Sequence, residues 1–149
     1  LFKGCIAPKD ITHIRQEQPK ETCYLFEGFM DYLSFLTLRL ERCPDRPDLD
    51  GQDYIVLNST SNLSKAIRPL GGYGRIHCFL DNDKAGMEAV QELQKEYGLR
   101  IRDVSYIYGG YNDLNDFLCG KRSEQTERRQ EKRQRQAEQP GKKGRGIRM

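Results

Sequence analysis

From Glu21 to about Gly120 the sequence alternates short apolar runs with longer segments whose apolar residues recur at helical spacing. The apolar runs, each read as a β-strand, are Cys23–Phe26, Tyr54–Leu57, Ile76–Leu80 and Val104–Tyr108. Parallel strands need long crossover connections, and helices in those connections cover the sheet. The alternation therefore predicts an α/β, Rossmann-like fold with a mainly parallel four-stranded sheet and helices on both faces.

The segments between the apolar runs predict the helices. Phe29–Leu40 is apolar on nearly every face, and Leu63, Ala66, Ile67 and Leu70 recur at helical spacing. A third helix is expected from about Gly86 to Tyr97, and a short one over Leu114–Cys119. In this arrangement each of the first three strands feeds directly into a helix.

The 149-residue chain is expected to hold one domain with a segment on either side. Residues 1–20 are interpreted as an N-terminal extension with an edge strand or hairpin, and residues 21–120 as the folded domain. Residues 121–149 carry 11 basic and 4 acidic side chains, a net charge of +7, whereas residues 1–120 carry −4. This basic tail has almost no large apolar residues, so it is expected to be disordered, with transient helix around Glu124–Gln139.

The cysteines and histidines indicate which kinds of metal or catalytic site the sequence does not favour. The five cysteines are scattered, without paired metal-ligand spacing, so a zinc site is not expected and a cytoplasmic, reducing location is predicted. Cys23 and Cys78 lie in apolar runs and are expected to be small buried residues. His13 and His77 have no nearby partner that suggests catalysis and are assigned structural or surface roles. The sequence has no apolar run near the roughly 20 residues of a membrane span.

Acidic residues follow three of the predicted strands, where ligands bind in sheets of this kind. They are Glu27 and Asp31 after the first strand, Asp81 and Asp83 after the third, and Asp113 and Asp116 after the fourth. A single acid at such a position usually caps backbone N–H groups. Six acids that converge would repel one another unless a cation neutralises them. Because all are oxygen ligands, Mg²⁺ or Mn²⁺ is favoured over zinc, and Mg²⁺ bound by a few carboxylates suggests phosphoryl transfer.

Three short motifs within this acidic set resemble those of the Toprim domain. Residues 27–31 read E-G-F-M-D, residues 80–86 read L-D-N-D-K-A-G, and residues 113–116 read D-L-N-D. They resemble the E-G-x-x-D, D-x-D-x-A-G and third acidic motifs of that family, in the right order and over residues 21–120. The aromatic residue and methionine after Glu-Gly resemble the bacterial DnaG-type primase branch more than topoisomerases, RecR or the OLD nucleases.

The resemblance implies roles for individual residues. Glu27 would be the catalytic acid or base, Asp81 and Asp83 would hold Mg²⁺, and Asp31 and Asp113 would support a second metal. Lys84 would bind phosphate or nucleic acid. The third motif departs from the family, because Asn115 stands where primases often have a second Asp and Asp116 lies one residue beyond. The ligands of the second metal therefore stay open.

The expected activity is Mg²⁺-dependent nucleotidyl transfer for primer synthesis in DNA replication, with a single-stranded DNA template, nucleoside triphosphates and a helicase as partners and no membrane. A zinc-binding domain and an N-terminal subdomain, which accompany the module in primases, are not visible, so activity of this segment alone stays open. That arrangement also suits a primase-like protein of a mobile element. Two alternatives remain: a Toprim nuclease that uses the same carboxylates, and a non-catalytic, RecR-like binding module.

Overall fold

The computed structural model describes residues 10–120 and 124–138, with side chains described for 10–120 and 131–138. The strands are β1 (Thr12–Ile14), β2 (Thr22–Phe26), β3 (Asp53–Val56), β4 (Arg75–Phe79) and β5 (Ile101–Asp103). The α-helices are α1 (Phe29–Arg42), α2 (Leu63–Leu70), α3 (Lys84–Tyr97), α4 (Leu114–Cys119) and α5 (Glu124–Ala137). Short 3₁₀ helices cover Pro47–Gly51, Thr60–Asn62, Gly98–Arg100 and Ser105–Tyr108.

The five strands form one sheet in the order β1-β3-β2-β4-β5. Strands β2 to β5 are parallel, and β1 pairs antiparallel with β3 at the edge of the sheet. The mainly parallel α/β fold is therefore confirmed, and β1 lies in the extension where an edge strand was one of the two expectations.

Helices cover both faces of the sheet, as predicted, because alternate residues of each strand point to opposite sides. On one face Leu25, Ile55 and Ile76 pack with α2 and α3, and the buried Cys23 and Cys78 belong to this cluster. On the other face Phe26 and Phe79 stack with ring centroids 4.9 Å apart, and α1 and α4 cover them. The interpretation of the two cysteines as small core residues is confirmed.

The fourth predicted strand is wrong in position. The strand lies earlier, at Ile101–Asp103, and residues Ser105–Tyr108 form a 3₁₀ helix instead. Val104 and Tyr108 are both buried on the α1 face, and the Tyr108 hydroxyl donates a hydrogen bond of 2.7 Å to the carbonyl oxygen of Leu80. The apolar residues Val104 and Tyr108 are therefore buried by tertiary packing on the α1 face, and the sheet is not extended by this run.

Part of the basic tail lies outside the described residues, namely 121–123 and 139–149. Between them α5 forms a helix in the stretch where transient helix was expected, and the side chains of Glu131–Glu138 are exposed. The disorder of the tail as a whole stays a prediction. No helix within residues 10–120 and 124–138 is long and apolar enough to cross a membrane.

Candidate metal centre

The acidic residues meet at the carboxyl ends of β2 and β4, where the chain reverses its direction of travel across the sheet. From β2 the chain moves through α1 to β3, and from β3 it returns past β2 to β4. Phe26 and Phe79 are partners in the parallel register of these strands, so Glu27 and the loop after β4 emerge side by side. A crevice at such a reversal is the usual ligand site of open α/β sheets.

Two groups of carboxylates form there, and Asp81 belongs to both. Ligand atoms of Glu27, Asp81 and Asp83 lie within 4.8 Å of one another, and so do those of Asp31, Asp81 and Asp113. The family resemblance assigned Asp81 and Asp83 to a first metal, Asp31 and Asp113 to a second, and to Glu27 the role of catalytic acid or base. The geometry brings all five acids together, and these roles stay a prediction.

Asp31 is placed by the first turn of α1 and by a contact from α4. It is 5% exposed, and its Oδ1 accepts a 3.1 Å hydrogen bond from the backbone N–H of Asn115. Ser34, one turn further along α1, donates its hydroxyl to Asn115 Oδ1 at 3.1 Å. Asn115 therefore ties the third motif to α1 and does not simply replace a missing carboxylate.

The loop after β4 is fastened to the loop that carries Asp113. The backbone N–H of Asn82 donates to the Asn112 carbonyl at 2.6 Å, and its Nδ2 donates to the Tyr111 carbonyl at 2.9 Å. Asn82, the central residue of the D-N-D segment, thus brings the third acidic motif beside the second. Sequence reasoning missed this role, although its place between two predicted ligands was a signal.

Asp83 and Asp113 also have the capping role that the sequence had to weigh against metal binding. Asp83 Oδ1 accepts a 2.8 Å hydrogen bond from the Gly86 N–H at the start of α3, and Asp113 Oδ1 accepts one of 2.7 Å from the Asp116 N–H at the start of α4. Each bond occupies one carboxylate oxygen at a helix N-terminus. Asp116 is not a member of either carboxylate group.

Asp81 has a carboxylate oxygen that the described part of the chain leaves without a compensating hydrogen-bond donor. Its Oδ1 is buried and, among the described residues, accepts no hydrogen bond. Burial, reinforced by the hydrogen bond and negative charge of Glu27, raises the pKa of Asp81 well above its ordinary value. A buried acceptor without a donor is costly, and a cation beside it removes that cost.

The neighbouring acids are affected in the same direction. Burial, followed by the charge of Asp113, raises the pKa of Asp31 to about 7. Burial also raises the pKa of Asp113. These shifts mean that the acids are difficult to ionise together without a cation, so the donor set and its electrostatics fit a divalent metal with oxygen ligands.

An open cleft of about 430 Å³ gives access to the acids. Phe29 and Met30 line it and are 45% and 58% exposed. Asn58, after β3, also lines the cleft and has a positive φ of 66°, which Asn tolerates better than most residues. Its side chain donates to the Asp10 carbonyl at 3.0 Å, so this polar wall of the cleft is fixed by the segment before β1.

Lys84, the predicted phosphate ligand, is the first residue of α3 and directly follows Asp83. Its side chain is 90% exposed, and its Nζ lies 3.9 Å from Glu88 Oε1. Such an exposed ion pair contributes little to stability, so the ammonium group of Lys84 is available to bind an anion beside the carboxylates. Its phosphate-binding role stays a prediction.

Comparison with known proteins gives a family match over most of the described domain. A family model described as Toprim-like matches residues 24–118, which contain all three acidic motifs. A search of the curated proteins found no match.

One similar solved structure is the primase fragment of the bacteriophage T7 primase-helicase protein, with 19% sequence identity and a TM-score of 0.47. The alignment covers 70% of this chain and 41% of that fragment. The chain thus spans less than half the length of this neighbour.

Proposed function

Because the chain belongs to the Toprim-like family, we propose that its carboxylate crevice binds Mg²⁺ or Mn²⁺ and serves nucleotidyl transfer in a DNA primase-like protein. The observation that carries this proposal is Asp81, a half-buried acid that belongs to both carboxylate groups and whose buried Oδ1 has no hydrogen-bond donor within residues 10–120 and 124–138. The primase branch is favoured because Phe29 and Met30 follow the Glu-Gly pair, as in primase motifs.

In this proposal Asp81 and Asp83 would hold one ion, and Asp31 and Asp113 would support another. Bound Mg²⁺ supplies positive charge that neutralises phosphate oxygens and eases their approach to the acids. Glu27 would accept the proton of the attacking 3′-hydroxyl as a new oxygen–phosphorus bond forms and pyrophosphate leaves. Its Oε1 already accepts the Asp81 N–H at 3.3 Å, which holds the carboxylate at the mouth of the crevice.

The substrates in this proposal are nucleoside triphosphates and a single-stranded DNA template, with a helicase as a further partner. The basic tail would supply nonspecific affinity for nucleic acid, because residues 1–120 are acidic and repel phosphate. A cytoplasmic location is part of the same proposal, and four described cysteines, Cys23, Cys43, Cys78 and Cys119, are free thiols.

The decisive experiment incubates the chain with a labelled single strand, Mg²⁺ and nucleoside triphosphates. Extension supports the primase reaction, and it should be lost in Glu27→Gln. The matched control is Asp103→Asn, which removes an exposed acid at the end of β5 outside both groups and should leave extension unchanged.

The same assay addresses the alternatives. Cleavage of the strand without extension would favour a Toprim nuclease that directs water at a phosphodiester with the same acids. Neither product, together with no heat of Mg²⁺ binding in calorimetry, would favour a RecR-like binding module. Mg²⁺ binding without either product would restrict this chain to the metal-binding part of a larger enzyme.

A further inference from the structure

A second polar cavity lies at the amino ends of the parallel strands, opposite the carboxylate crevice. It has a volume of about 530 Å³ and is lined by residues from β1, the β1–β2 loop, the start of β3 and the end of α2. Strands of four or five residues separate it from the crevice by on the order of 15 Å. The two sites are therefore distinct.

Three cationic side chains line this cavity: Arg15, Lys20 and Arg68. Within the described part of the chain, none of the three forms an ion pair or hydrogen bond. Like charges brought together around a concave surface create a positive potential that attracts anions. This contrasts with the net negative charge of residues 1–120.

The acid that lines the cavity, Asp53, forms no ion pair with these cations within the described part of the chain, so the lining carries three cations against one carboxylate. Asp53 is 4% exposed, and its Oδ1 accepts the backbone N–H of Gln16 at 2.8 Å. Its Oδ2 accepts the hydroxyl of Tyr73 at 2.6 Å. Both oxygens therefore hold the wall of the cavity in place.

The half-buried His13 completes a polar chain with the buried Asp53 and Tyr73. Its Nε2 lies 2.8 Å from the Tyr73 hydroxyl oxygen. Because the single hydroxyl hydrogen of Tyr73 points to Asp53, His13 must donate from Nε2, and in the neutral ring Nδ1 is then an acceptor. The donors for an anion are therefore the three cations and not His13. Sequence reasoning assigned His13 a structural or surface role, since Asp53 and Tyr73 are far away along the chain.

We propose that this cavity is a second anion site, which binds a phosphate group through Arg15, Lys20 and Arg68 beside the His13–Tyr73–Asp53 chain. Arginine suits this task because its planar guanidinium can donate two parallel hydrogen bonds to phosphate oxygens. The phosphate belongs to a nucleotide or to a nucleic-acid backbone. The site does not depend on metal binding or catalysis in the carboxylate crevice.

The test titrates the full 149-residue chain with inorganic phosphate in EDTA and follows NMR signals of individual residues. Chelation keeps metal out of the crevice, and residue-specific signals separate the cavity from the basic tail. Saturable shifts are expected at Gly72 and in the His13 ring, with sodium chloride at matched ionic strength as the reference. ATP and a short oligothymidine, added separately to compete with phosphate, then identify which source of phosphate binds better.

The variant Arg68→Gln removes one exposed cation and should weaken phosphate binding about threefold or more, whereas Lys95→Gln on α3 should leave it unchanged. Arg15→Gln is an independent second variant. Shifts that never saturate, shifts that chloride reproduces, or equal weakening by Arg68→Gln and Lys95→Gln would each overturn the proposal. Such a result would leave the carboxylate crevice and its function untouched.

Discussion

Neutralising Asp81 should affect stability in opposite directions with and without metal. In the metal-free protein Asp81 lies within 4.8 Å of acids in both groups, and its buried Oδ1 has no donor among the described residues. Because the pKa of Asp81 is raised, the metal-free fold must either bind a proton on Asp81 or bear repulsion from the neighbouring acids, which at that separation is about 0.9 kcal/mol even at the dielectric constant of water. Asp81→Asn removes this cost, and the new amide can donate to the Glu27 carboxylate.

We therefore expect Asp81→Asn in EDTA to be at least as stable as the parent, with a gain of about 1 kcal/mol after allowance for partial solvent exposure. For a domain of this size that gain corresponds to a rise of about 3–5 °C in Tm. Removing an acid that only caps a helix or loop would lower stability instead.

Added Mg²⁺ should reverse the order. If the ion binds only the folded state with Kd of about 1 mM, then about 10 mM Mg²⁺ stabilises the parent by RT ln 11, or about 1.4 kcal/mol. Asp81→Asn should lose most of this gain because both carboxylate groups contain Asp81. Ca²⁺ in a parallel series measures how far the site requires small octahedral geometry.

The assay is thermal unfolding of parent and variant in EDTA, Mg²⁺ and Ca²⁺ at one pH. Asp103→Asn is the matched control, because Asp103 is exposed and its Oδ1 accepts the Ser105 N–H at 2.9 Å. It should lower stability slightly and keep the full Mg²⁺ response. The reasoning is refuted if Asp81→Asn is destabilised in EDTA as Asp103→Asn is, or if both variants respond to Mg²⁺ like the parent.

Three further outcomes are expected. Gly86→Ala should destabilise the fold and weaken Mg²⁺ binding, because a Cβ at this position would lie 2.1 Å from the Asp81 carbonyl oxygen. Gly51→Ala is the control and should have little effect on stability or Mg²⁺ binding, because no atom lies within 4 Å of the added carbon. Thermal unfolding and calorimetry compare the two variants. In EDTA, stability should fall as pH rises from about 4 through about 7, because the folded state holds the Asp31 proton more tightly than the unfolded chain does, and Asp81 should extend the fall to higher pH. Unfolding curves from pH 5 to 9 measure this, and a flat or rising profile in EDTA would contradict the raised pKa values. Truncation after Gly120 should flatten the dependence of log affinity for duplex DNA on log salt by several units, since each phosphate neutralised contributes about 0.9 to the slope, and an unchanged slope would exclude the tail as the main contact.

The sequence alone determined the order of elements and the chemical character of the crevice. Apolar runs followed by segments at helical spacing predict β2, β3 and β4 and the helices after them, because side-chain periodicity follows directly from backbone geometry. Acids directly after parallel strands must share one edge of the sheet, which is why Glu27, Asp81 and Asp31 could be grouped before any coordinates.

Tertiary structure decided what local pattern leaves ambiguous. The run Val104–Tyr108 has the composition of a strand, but burial of Tyr108 and its hydrogen bond to Leu80 bend it into a 3₁₀ helix. A short apolar run carries no periodicity that distinguishes a strand from a helical turn, so packing against the rest of the chain determines which of the two forms.

Contacts between residues distant in sequence were likewise set only by the folded chain. Asn82 fixes the Asp113 loop beside Asp81, and His13 meets Tyr73, 60 positions away, at the opposite end of the sheet. A sequence shows which groups can donate or accept a hydrogen bond, but it does not show which partners the topology brings within 3 Å. Local chemistry therefore identified the acids, and only the assembled sheet showed that two of their groups share Asp81 and that a basic cavity lies opposite them.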